Sequence, residues 1–239
     1  MTTACIVQAR MGSTRLPGKI MRRLAGETVL SQVLRRCRAI PGVDCVVCAT
    51  VAQPSDDSVA DEAERAGAIV FRGAERDVLG RYRGAARSVG ADRVLRVTSD
   101  CPLIDPDVCG RVLALCGKGG AEFATNNMPP SWPHGLDCEA FTMDLLARAA
   151  AAAHLPDHRE HVSGWMRETP GISQVNLASD DGTLVRHRWT LDYPEDFAFF
   201  AALFPLLPSP PAIPAMAEVL AVLAAHPELA SINAQRRAA

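Results

Sequence analysis

The chain has 239 residues with 25 cationic and 27 anionic side chains, so its formal net charge is −2. This balance argues against general nucleic-acid binding, which usually requires a clear basic excess. The sequence contains neither a signal-peptide core nor a run of about 18 apolar residues, so we expect no membrane association and a cytoplasmic location. Its eight cysteines lie mostly in apolar segments, which favours buried free thiols over disulfides or zinc ligands.

The first element is a short apolar run at residues 4–7, which predicts a buried parallel strand. Residues 8–19, QARMGSTRLPGK, follow as a polar segment with two glycines and three cations, and we call this segment the first loop. Such loops hold phosphate at the carboxyl end of a strand in α/β proteins, although this spacing matches neither the Walker loop nor the dinucleotide fingerprint. Lys19 and Lys118 are the two lysines of an arginine-rich chain, which favours a need for an ammonium group at Lys19. The alternative is a surface lysine without a role.

The next part of the chain alternates between apolar runs and helical stripes. Helices are predicted at 29–40, at 55–67 with Ser55 as the N-cap, at 77–89 and at 106–116; strands are predicted at 43–50, 68–71 and 93–98. This alternation predicts βαβ units, a mostly parallel sheet and right-handed crossovers.

The strand at 93–98 leads directly into Asp100, which predicts a carboxylate at the edge of the sheet where the first loop lies. One or two carboxylates together with phosphate oxygens are a usual arrangement for Mg²⁺, so Asp100 is a candidate metal ligand. The alternative is a turn-forming carboxylate ahead of a proline. Asp105 is predicted to cap the following helix.

From residue 122 the alternation becomes less regular. A strand-like start leads into a long polar and aromatic loop, and such loops usually carry function. Helices are predicted at 144–153, 157–169 and 215–225, and a hairpin is predicted from strands at 172–178 and 184–190. His158 and His161 could share one helix face, but without a tight zinc motif we do not expect a zinc site.

Several of these motifs together resemble those of the sugar-activating cytidylyltransferases, which make CMP-sugars from CTP and acidic sugars. The subgroup related to the spore-coat polysaccharide biosynthesis protein F is the most similar. The resemblance covers residues 4 to about 200, and its segments are 8–19, 48–57, 72–82, 100–104, 133–141, 159–162 and 192–196.

This resemblance implies a Rossmann-like nucleotide-diphospho-sugar transferase fold, with a mostly parallel sheet and helices on both faces. It implies a single nucleotidyltransferase domain over 1–239, with a sugar-binding and dimerisation insertion at 126–190 and a C-terminal helical extension at 205–239. The implied substrates are CTP and an acidic sugar, the implied cofactor is Mg²⁺, and the implied assembly is a homodimer.

The resemblance also implies roles for particular residues. The catalytic residues would be Arg15, Lys19, Asp100 and Asp192, the last two also holding the metal. The nucleotide would be bound by Gln8, Ala9, Arg10, Gly12, Ser13, Ala49, Thr50 and Arg72. The sugar would be bound by Asn127, His134, Asp137, Glu139, Arg159, Glu160 and His161. Arg159 suits a sugar carboxylate because arginine binds carboxylates through two parallel hydrogen bonds.

Two other functions are compatible with such a fold. One is a glycosyltransferase of the GT-A type that uses a ready-made nucleotide sugar, but residues 100–102 do not supply its D-x-D metal motif. The other is a non-catalytic nucleotide-binding module, which would be expected to lack the lysine or a metal carboxylate. Glu195 and Asp196 also fit as first-turn residues of a helix, stabilised by its dipole.

Overall fold

A computed structural model of the chain describes residues 1–236. The first half contains β1 (Thr3–Gln8), β2 (Arg23–Leu24), β3 (Glu27–Thr28), α1 (Val29–Arg38), β4 (Cys45–Val51), α2 (Asp57–Arg65), β5 (Ile69–Gly73), α3 (Val78–Ser88), β6 (Arg93–Thr98) and α4 (Pro106–Leu115). The second half contains β7 (Phe123–Thr125), β8 (Glu139–Thr142), α5 (Met143–Ala152), α6 (Pro156–His161), α7 (Gly164–Glu168), β9 (Gln174–Asn176), α8 (Pro194–Leu203) and α9 (Met216–Ala225).

Seven strands form one sheet in the order β5-β4-β1-β6-β8-β7-β9. The strands β5, β4, β1 and β6 are parallel, β8 is antiparallel to both of its neighbours, and β9 is parallel to β7. This confirms the prediction of a mostly parallel α/β sheet of the Rossmann-like kind. The first loop and Asp100 follow adjacent parallel strands, β1 and β6, so both lie at the same edge of the sheet.

Two apolar clusters show that helices cover both faces of the sheet. Alternate residues of β1 point to opposite faces: Cys5 and Val7 pack with α1, α2 and α4, whereas Ala4 and Ile6 pack with α3 and α5. Full burial of a valine or isoleucine side chain, such as Val7 or Ile6, contributes on the order of 1.5–3 kcal/mol. No helix within residues 1–236 is both long and apolar enough to cross a membrane.

The predicted hairpin at 172–190 is wrong in its second half. β9 forms as expected, but it pairs with β7 in parallel at the sheet edge. Leu184–Arg186 is a short 3-10 turn, and Asp181 stabilises its start by accepting the Thr183 N–H. The following residues pair with the long loop instead, since the Trp189 N–H donates to the His134 carbonyl.

The single helix predicted at 157–169 is two short helices. α6 and α7 are separated at Val162, whose φ of 60° lies in the left-handed region. Ser163 donates its hydroxyl to the buried Glu139 carboxylate, which holds the chain in this turn. A long-range polar contact thus overrides the local helical pattern.

The helix predicted from Ser55 begins later than expected. Pro54–Asp56 form a 3-10 turn, and Asp56 rather than Ser55 precedes α2. The Asp56 carboxylate accepts the Met11 N–H at 2.8 Å and thereby ties this turn to the first loop. The predicted caps at Asp77 and Asp105 are confirmed. The insertion at 126–190 and the extension at 205–239 stay predictions, and residues 237–239 of that extension lie outside the described residues.

Candidate active site

The first loop forms one wall of a cavity of about 420 Å³ at the carboxyl ends of β1 and β6. Its start is anchored where the Ala9 N–H donates to the Ala49 carbonyl on β4. Near its end Gly18 adopts a left-handed conformation with a φ of 64°, which favours glycine and turns the chain so that Lys19 faces the cavity.

Eleven of the residues predicted to form the site line this cavity: Gln8, Ala9, Arg10, Gly12, Ser13, Arg15, Lys19, Asp100, Glu160, His161 and Asp192. They come from the first loop, the end of β6, α6 and the segment before α8. The structure therefore brings together residues that are far apart in the sequence, as the resemblance implies. Their individual roles stay predictions.

Lys19 joins the two carboxylates at the floor of the cavity. Its Nζ donates to Asp100 Oδ2 at 2.8 Å and to Asp192 Oδ1 at 2.8 Å. Because both oxygens lie that close to one nitrogen, they can be separated by no more than twice this distance. Arg15 adds a second cation, 3.0 Å from the same Asp192 oxygen. The carboxylates thus converge closely enough to share one ion site.

These contacts change the acidity of the groups involved. Burial would raise the pKa of Asp192, but Lys19 and Arg15 outweigh burial and lower it below its ordinary value. Burial would lower the pKa of Lys19, yet Asp100 and Asp192 together raise it. Lys19 and Asp192 are therefore both charged near neutral pH, which suits a site for charged phosphate groups.

The segment that carries Asp192 is held in place by backbone and side-chain contacts. The Leu191 N–H donates to the Asp100 carbonyl at 2.8 Å, so this segment lies directly beside the end of β6. Asp196, buried in the first turn of α8, accepts the N–H groups of Asp192 at 2.9 Å and Tyr193 at 3.0 Å. Arg188 binds the same carboxylate through two hydrogen bonds of 2.9 Å. Asp196 is a first-turn residue, as predicted, and it also orients Asp192.

Two further arginines line the cavity, Arg10 and Arg81, and their side chains differ in how firmly they are held. Arg10 is half exposed and lies 3.8 Å from Glu75 and 3.7 Å from Glu160, so it can turn towards a ligand. Arg81 is buried and donates to the backbone carbonyls of Ala74 and Glu75. Burial lowers the pKa of Arg81, because its charge is removed from water.

Three residues predicted to bind the nucleotide do not line the cavity. Ala49 and Thr50 are buried within β4. Arg72 lies on the surface and pairs with Asp57 at 2.6 Å. The contact of Ala49 and Thr50 with the base and the role of Arg72 near the nucleotide stay predictions. In this arrangement none of the three residues lines the cavity.

Five residues predicted to bind the sugar also lie outside the cavity lining: Asn127, His134, Asp137, Glu139 and Arg159. Arg159 pairs with Asp77 and donates to the Ala150 carbonyl at 2.9 Å, so its guanidinium is already engaged. Asn127 accepts from Arg167, His134 contacts Arg188, and Asp137 accepts the N–H of Gly135. Their side chains support the surrounding loops in this structure.

Glu139 is the centre of a buried ion-pair network. It is 1% exposed, and its carboxylate accepts from Arg96 at 2.9 Å, Arg167 Nε at 2.9 Å and the Ser163 hydroxyl at 2.8 Å. Burial would raise the pKa of Glu139, but Arg96 and Arg167 lower it. With its oxygens satisfied and covered, Glu139 is not accessible to a sugar in this conformation.

Sequence reasoning did not find all of the residues around the site. Thr98, Ser99 and Val78 line the cavity without having been predicted to do so. Arg81 also lines it, and it matches a polar position of the similar segment at 72–82, which the resemblance places close to the nucleotide. Thr98 and Ser99 adjoin Asp100, so their position at the end of β6 could have indicated them. The contacts of Tyr193 with Arg15 and Arg236 involve distant parts of the chain, and no local pattern signals them.

The donor set at the floor of the cavity fits a hard divalent cation. Asp100 and Asp192 supply carboxylate oxygens, and Mg²⁺ is usually held by one or two carboxylates with phosphate oxygens and water completing the octahedron. Among residues 1–236 no group of three or more His, Cys, Asp or Glu side chains is arranged to hold a metal ion. Water and the phosphate oxygens of a bound nucleotide would supply the other ligands of an ion at this site.

The model of the cytidylyltransferase family matches residues 4–183. The chain belongs to this family. It is 30% identical over 206 residues to the spore coat polysaccharide biosynthesis protein SpsF of Bacillus subtilis, covering 83% of this chain and 85% of SpsF. The chain is thus a CTP-dependent nucleotidyltransferase, and this separates it from the two alternatives weighed from its sequence.

Solved structures agree with this assignment. A cytidylyltransferase from Leptospira borgpetersenii superposes with a TM-score of 0.90 at 30% identity, covering 96% of each chain. The CMP:2-keto-3-deoxy-manno-octonic acid synthetase complexed with CTP superposes with a TM-score of 0.66 at 18% identity, covering 86% of this chain and 99% of that one. The second likeness shows a shared fold. The family match ends before Asp192, so the C-terminal wall of this cytidylyltransferase's cavity lies beyond it.

Proposed function

We propose that this cytidylyltransferase activates an acidic sugar with CTP, giving a CMP-sugar and pyrophosphate for the synthesis of a surface polysaccharide or glycan. The observation that carries this proposal is the cluster in which Lys19 and Arg15 meet Asp100 and Asp192 in one cavity. A cavity with several cations and two convergent carboxylates suits a triphosphate and its metal.

The reaction requires charge stabilisation more than covalent chemistry. A sugar hydroxyl oxygen attacks the α-phosphorus in line and forms the new P–O bond. The bond from the α-phosphorus to the bridging oxygen breaks, pyrophosphate leaves with the electron pair, and the hydroxyl proton is released. Negative charge increases on the departing pyrophosphate, where Arg15 and Lys19 would lie. Cations fixed before the reaction stabilise this charge without reorganisation.

Ligand binding in this scheme exchanges the partners of the cationic side chains. Lys19 and Arg15 would release the carboxylates and bind phosphate oxygens, and Arg10 would leave Glu75 and Glu160 for the same purpose. Backbone N–H groups at Gly12 and Ser13 would add neutral donors. Asp100 and Asp192 would hold Mg²⁺, which when bound neutralises charge on the phosphate oxygens.

Similarity to SpsF, a polysaccharide biosynthesis protein, supports a role in polysaccharide synthesis. Similarity to the CMP:2-keto-3-deoxy-manno-octonic acid synthetase supports an acidic acceptor. Use of Arg159 for a sugar carboxylate would require its ion pair with Asp77 to open. A homodimer and a cytoplasmic location, with neither nucleic acid nor membrane as partner, complete the proposal.

Pyrophosphate release tests the proposal directly. Each of CTP, UTP, ATP and GTP is combined with sialic, pseudaminic and 3-deoxy-octulosonic acids, and with neutral hexoses as controls. We expect release with CTP and at least one acidic sugar, and recovery of the matching CMP-sugar. Efficient turnover of a neutral hexose, with none of any acidic sugar, would contradict the acidic acceptor.

A further inference from the structure

The end of the described chain returns to the active site. Residues 226–236, here called the C-terminal segment, follow α9 and consist largely of two 3-10 turns, Pro227–Ser231 and Ala234–Arg236. This segment lies beyond the residues matched by the family model. Two of its side chains, Asn233 and Arg236, contact the residues that adjoin or hold Asp192.

Asn233 connects this segment to Asp192 through Asp196. It is 1% exposed, and its amide donates to the Arg188 carbonyl at 3.1 Å and to Asp196 Oδ1 at 3.0 Å. The other oxygen of Asp196 accepts the Asp192 N–H. Asn233 is thus connected to the backbone of Asp192, the candidate metal ligand, through one intervening side chain, that of Asp196.

Arg236 makes a second and separate connection through Tyr193. Its guanidinium carbon lies 4.1 Å from the centre of the Tyr193 ring, and its Nη2 donates to Glu195 at 3.0 Å. The guanidinium of Arg15 lies 5.1 Å from the same ring. Tyr193 therefore contacts both Arg236 and an arginine of the first loop, and guanidinium groups are attracted to aromatic rings in this way.

The path of the extension is fixed before it reaches this point. Arg35 donates to the carbonyls of Pro211 and Ala212, and Asp105 accepts the N–H of Met216 at the start of α9. Val219 and Leu223 of α9 and Leu229 of the following turn belong to one apolar cluster. The same cluster contains Phe199 and Phe200 of α8 and Leu16 of the first loop. The C-terminal segment thus has a defined position from which to act.

We propose that Asn233 and Arg236 are positioning residues for catalysis, holding Asp192 and Arg15 in the geometry that binds the nucleotide and its metal. This inference rests on the proposed function, because it assumes that Asp192 takes part in the reaction. If these residues contributed to stability alone, their variants would have lower melting temperatures but unchanged metal binding. A positioning role changes metal dependence and turnover, because residues behind metal ligands commonly alter affinity or activity by about tenfold or more.

The test uses the full chain with Asn233→Ala, Arg236→Ala and Arg236→Lys. Glu228→Gln is the matched control, since Glu228 lies in the same segment and its exposed side chain pairs with His226. For each variant we measure the melting temperature, kcat, KM for CTP and the Mg²⁺ concentration for half-maximal rate. Binding of Mn²⁺ in the presence of CTP, followed by electron paramagnetic resonance, gives a readout independent of turnover.

We expect Asn233→Ala and Arg236→Ala to weaken Mn²⁺ binding and lower kcat by about tenfold each. Arg236→Lys keeps a cation above the Tyr193 ring and should recover part of the loss, whereas Glu228→Gln should match the parent chain. Arg236 is partly exposed, so its variants remain informative even if Asn233→Ala fails to fold.

Asp192→Asn separates this inference from the proposed function. If Asp192→Asn is inactive while folded Arg236→Ala keeps normal Mn²⁺ binding and kcat within twofold, the positioning role is overturned and the proposed function stands. If Asp192→Asn is fully active, the role of Asp192 in the proposed function is overturned, and the positioning role with it.

Discussion

Lys19 owes its position to two carboxylates from distant parts of the chain. Its ammonium group is small enough to touch Asp100 and Asp192 at once, and Arg15 reaches Asp192 from the solvent side. An ammonium is a compact charge that can serve several oxygens in different directions, whereas a guanidinium is planar and larger. The site therefore uses lysine for a geometric reason in a chain that elsewhere prefers arginine.

Replacement of Lys19 tests this interpretation. We expect Lys19→Arg to leave the melting temperature within a few degrees of the parent but to lower kcat more than tenfold, because the guanidinium cannot lie between the carboxylates or between phosphates in the same way. Lys118→Arg is the matched control, since Lys118 is exposed and remote from the cavity lining. Turnover of Lys19→Arg within about twofold of the parent would contradict the argument.

The two carboxylates can be examined as a unit. We expect Asp100→Asn and Asp192→Asn each to reduce kcat severely, because one remaining carboxylate holds Mg²⁺ weakly. Binding of CTP without metal, measured by calorimetry, should be nearly unchanged. The double variant should be little worse than either single variant, since residues that act together are non-additive. Losses that multiply would instead indicate independent roles for Asp100 and Asp192.

At the scale of elements, the break between α6 and α7 shapes one wall of the cavity. Glu160 and His161 line the cavity just before the break, and Ser163 just after it is bound to Glu139. Glu139 lies on β8 and also pairs with Arg96 on the neighbouring β6. The buried ion pair thus links the sheet to the two short helices, and we expect it to act on the site through structure.

Glu139→Gln distinguishes this structural role from the predicted contact with the sugar. Removing one member of a buried ion pair leaves uncompensated charge on Arg96 and Arg167, which should lower the free energy of unfolding by about 3–5 kcal/mol. Urea unfolding measures this value, with Asp144→Asn as control, because the pair of Asp144 with Arg148 is exposed and should be worth at most about 1 kcal/mol. Unchanged stability with a raised KM for the sugar would favour a direct contact instead.

The elements that sequence could predict are those determined by local pattern. The strand at 93–98, the helix cap at Asp77 and the loop before Lys19 follow from apolar periodicity, cap chemistry and glycine content. Convergence of Asp100 with Lys19 follows from the geometry of parallel strands. The break at Val162 depends on a contact with Glu139 that no local window contains.

Long-range pairing also explains why some residues predicted to form the site do not line the cavity. Arg159 has the chemistry to bind a carboxylate, but the carboxylate it meets is that of Asp77. The return of Arg236 to Tyr193 depends on how the whole extension packs against α8. Residue type indicates what a side chain can bind, whereas the fold determines which partner it finds first.

At the scale of the whole molecule, the cysteines are concentrated on one face of the sheet. Seven of them belong to a single apolar cluster with α1, α2 and α4: Cys5, Cys37, Cys48, Cys101, Cys109, Cys116 and Cys138. All eight are free thiols, as predicted. Burial raises the pKa of Cys48 to about 12 and that of Cys116 to about 11. These thiols therefore keep their protons in the folded state at pH values where the unfolded chain has lost them.

This difference in pKa makes folding stability depend on alkaline pH. A raised thiol pKa contributes stability that is complete below the unfolded value of about 8.5 and is lost as pH rises towards the folded value. Between pH 9 and 10.5 each such thiol should lower the free energy of unfolding by up to about 1.4 kcal/mol per pH unit.

Urea unfolding in a reducing buffer measures how the free energy of unfolding changes with pH. Cys48→Ala should make this slope shallower by the contribution of one thiol. The comparison uses slopes, so the cavity left by the missing sulfur, which acts equally at every pH, does not affect it. A slope for Cys48→Ala equal to that of the parent would show that Cys48 ionises alike in both states.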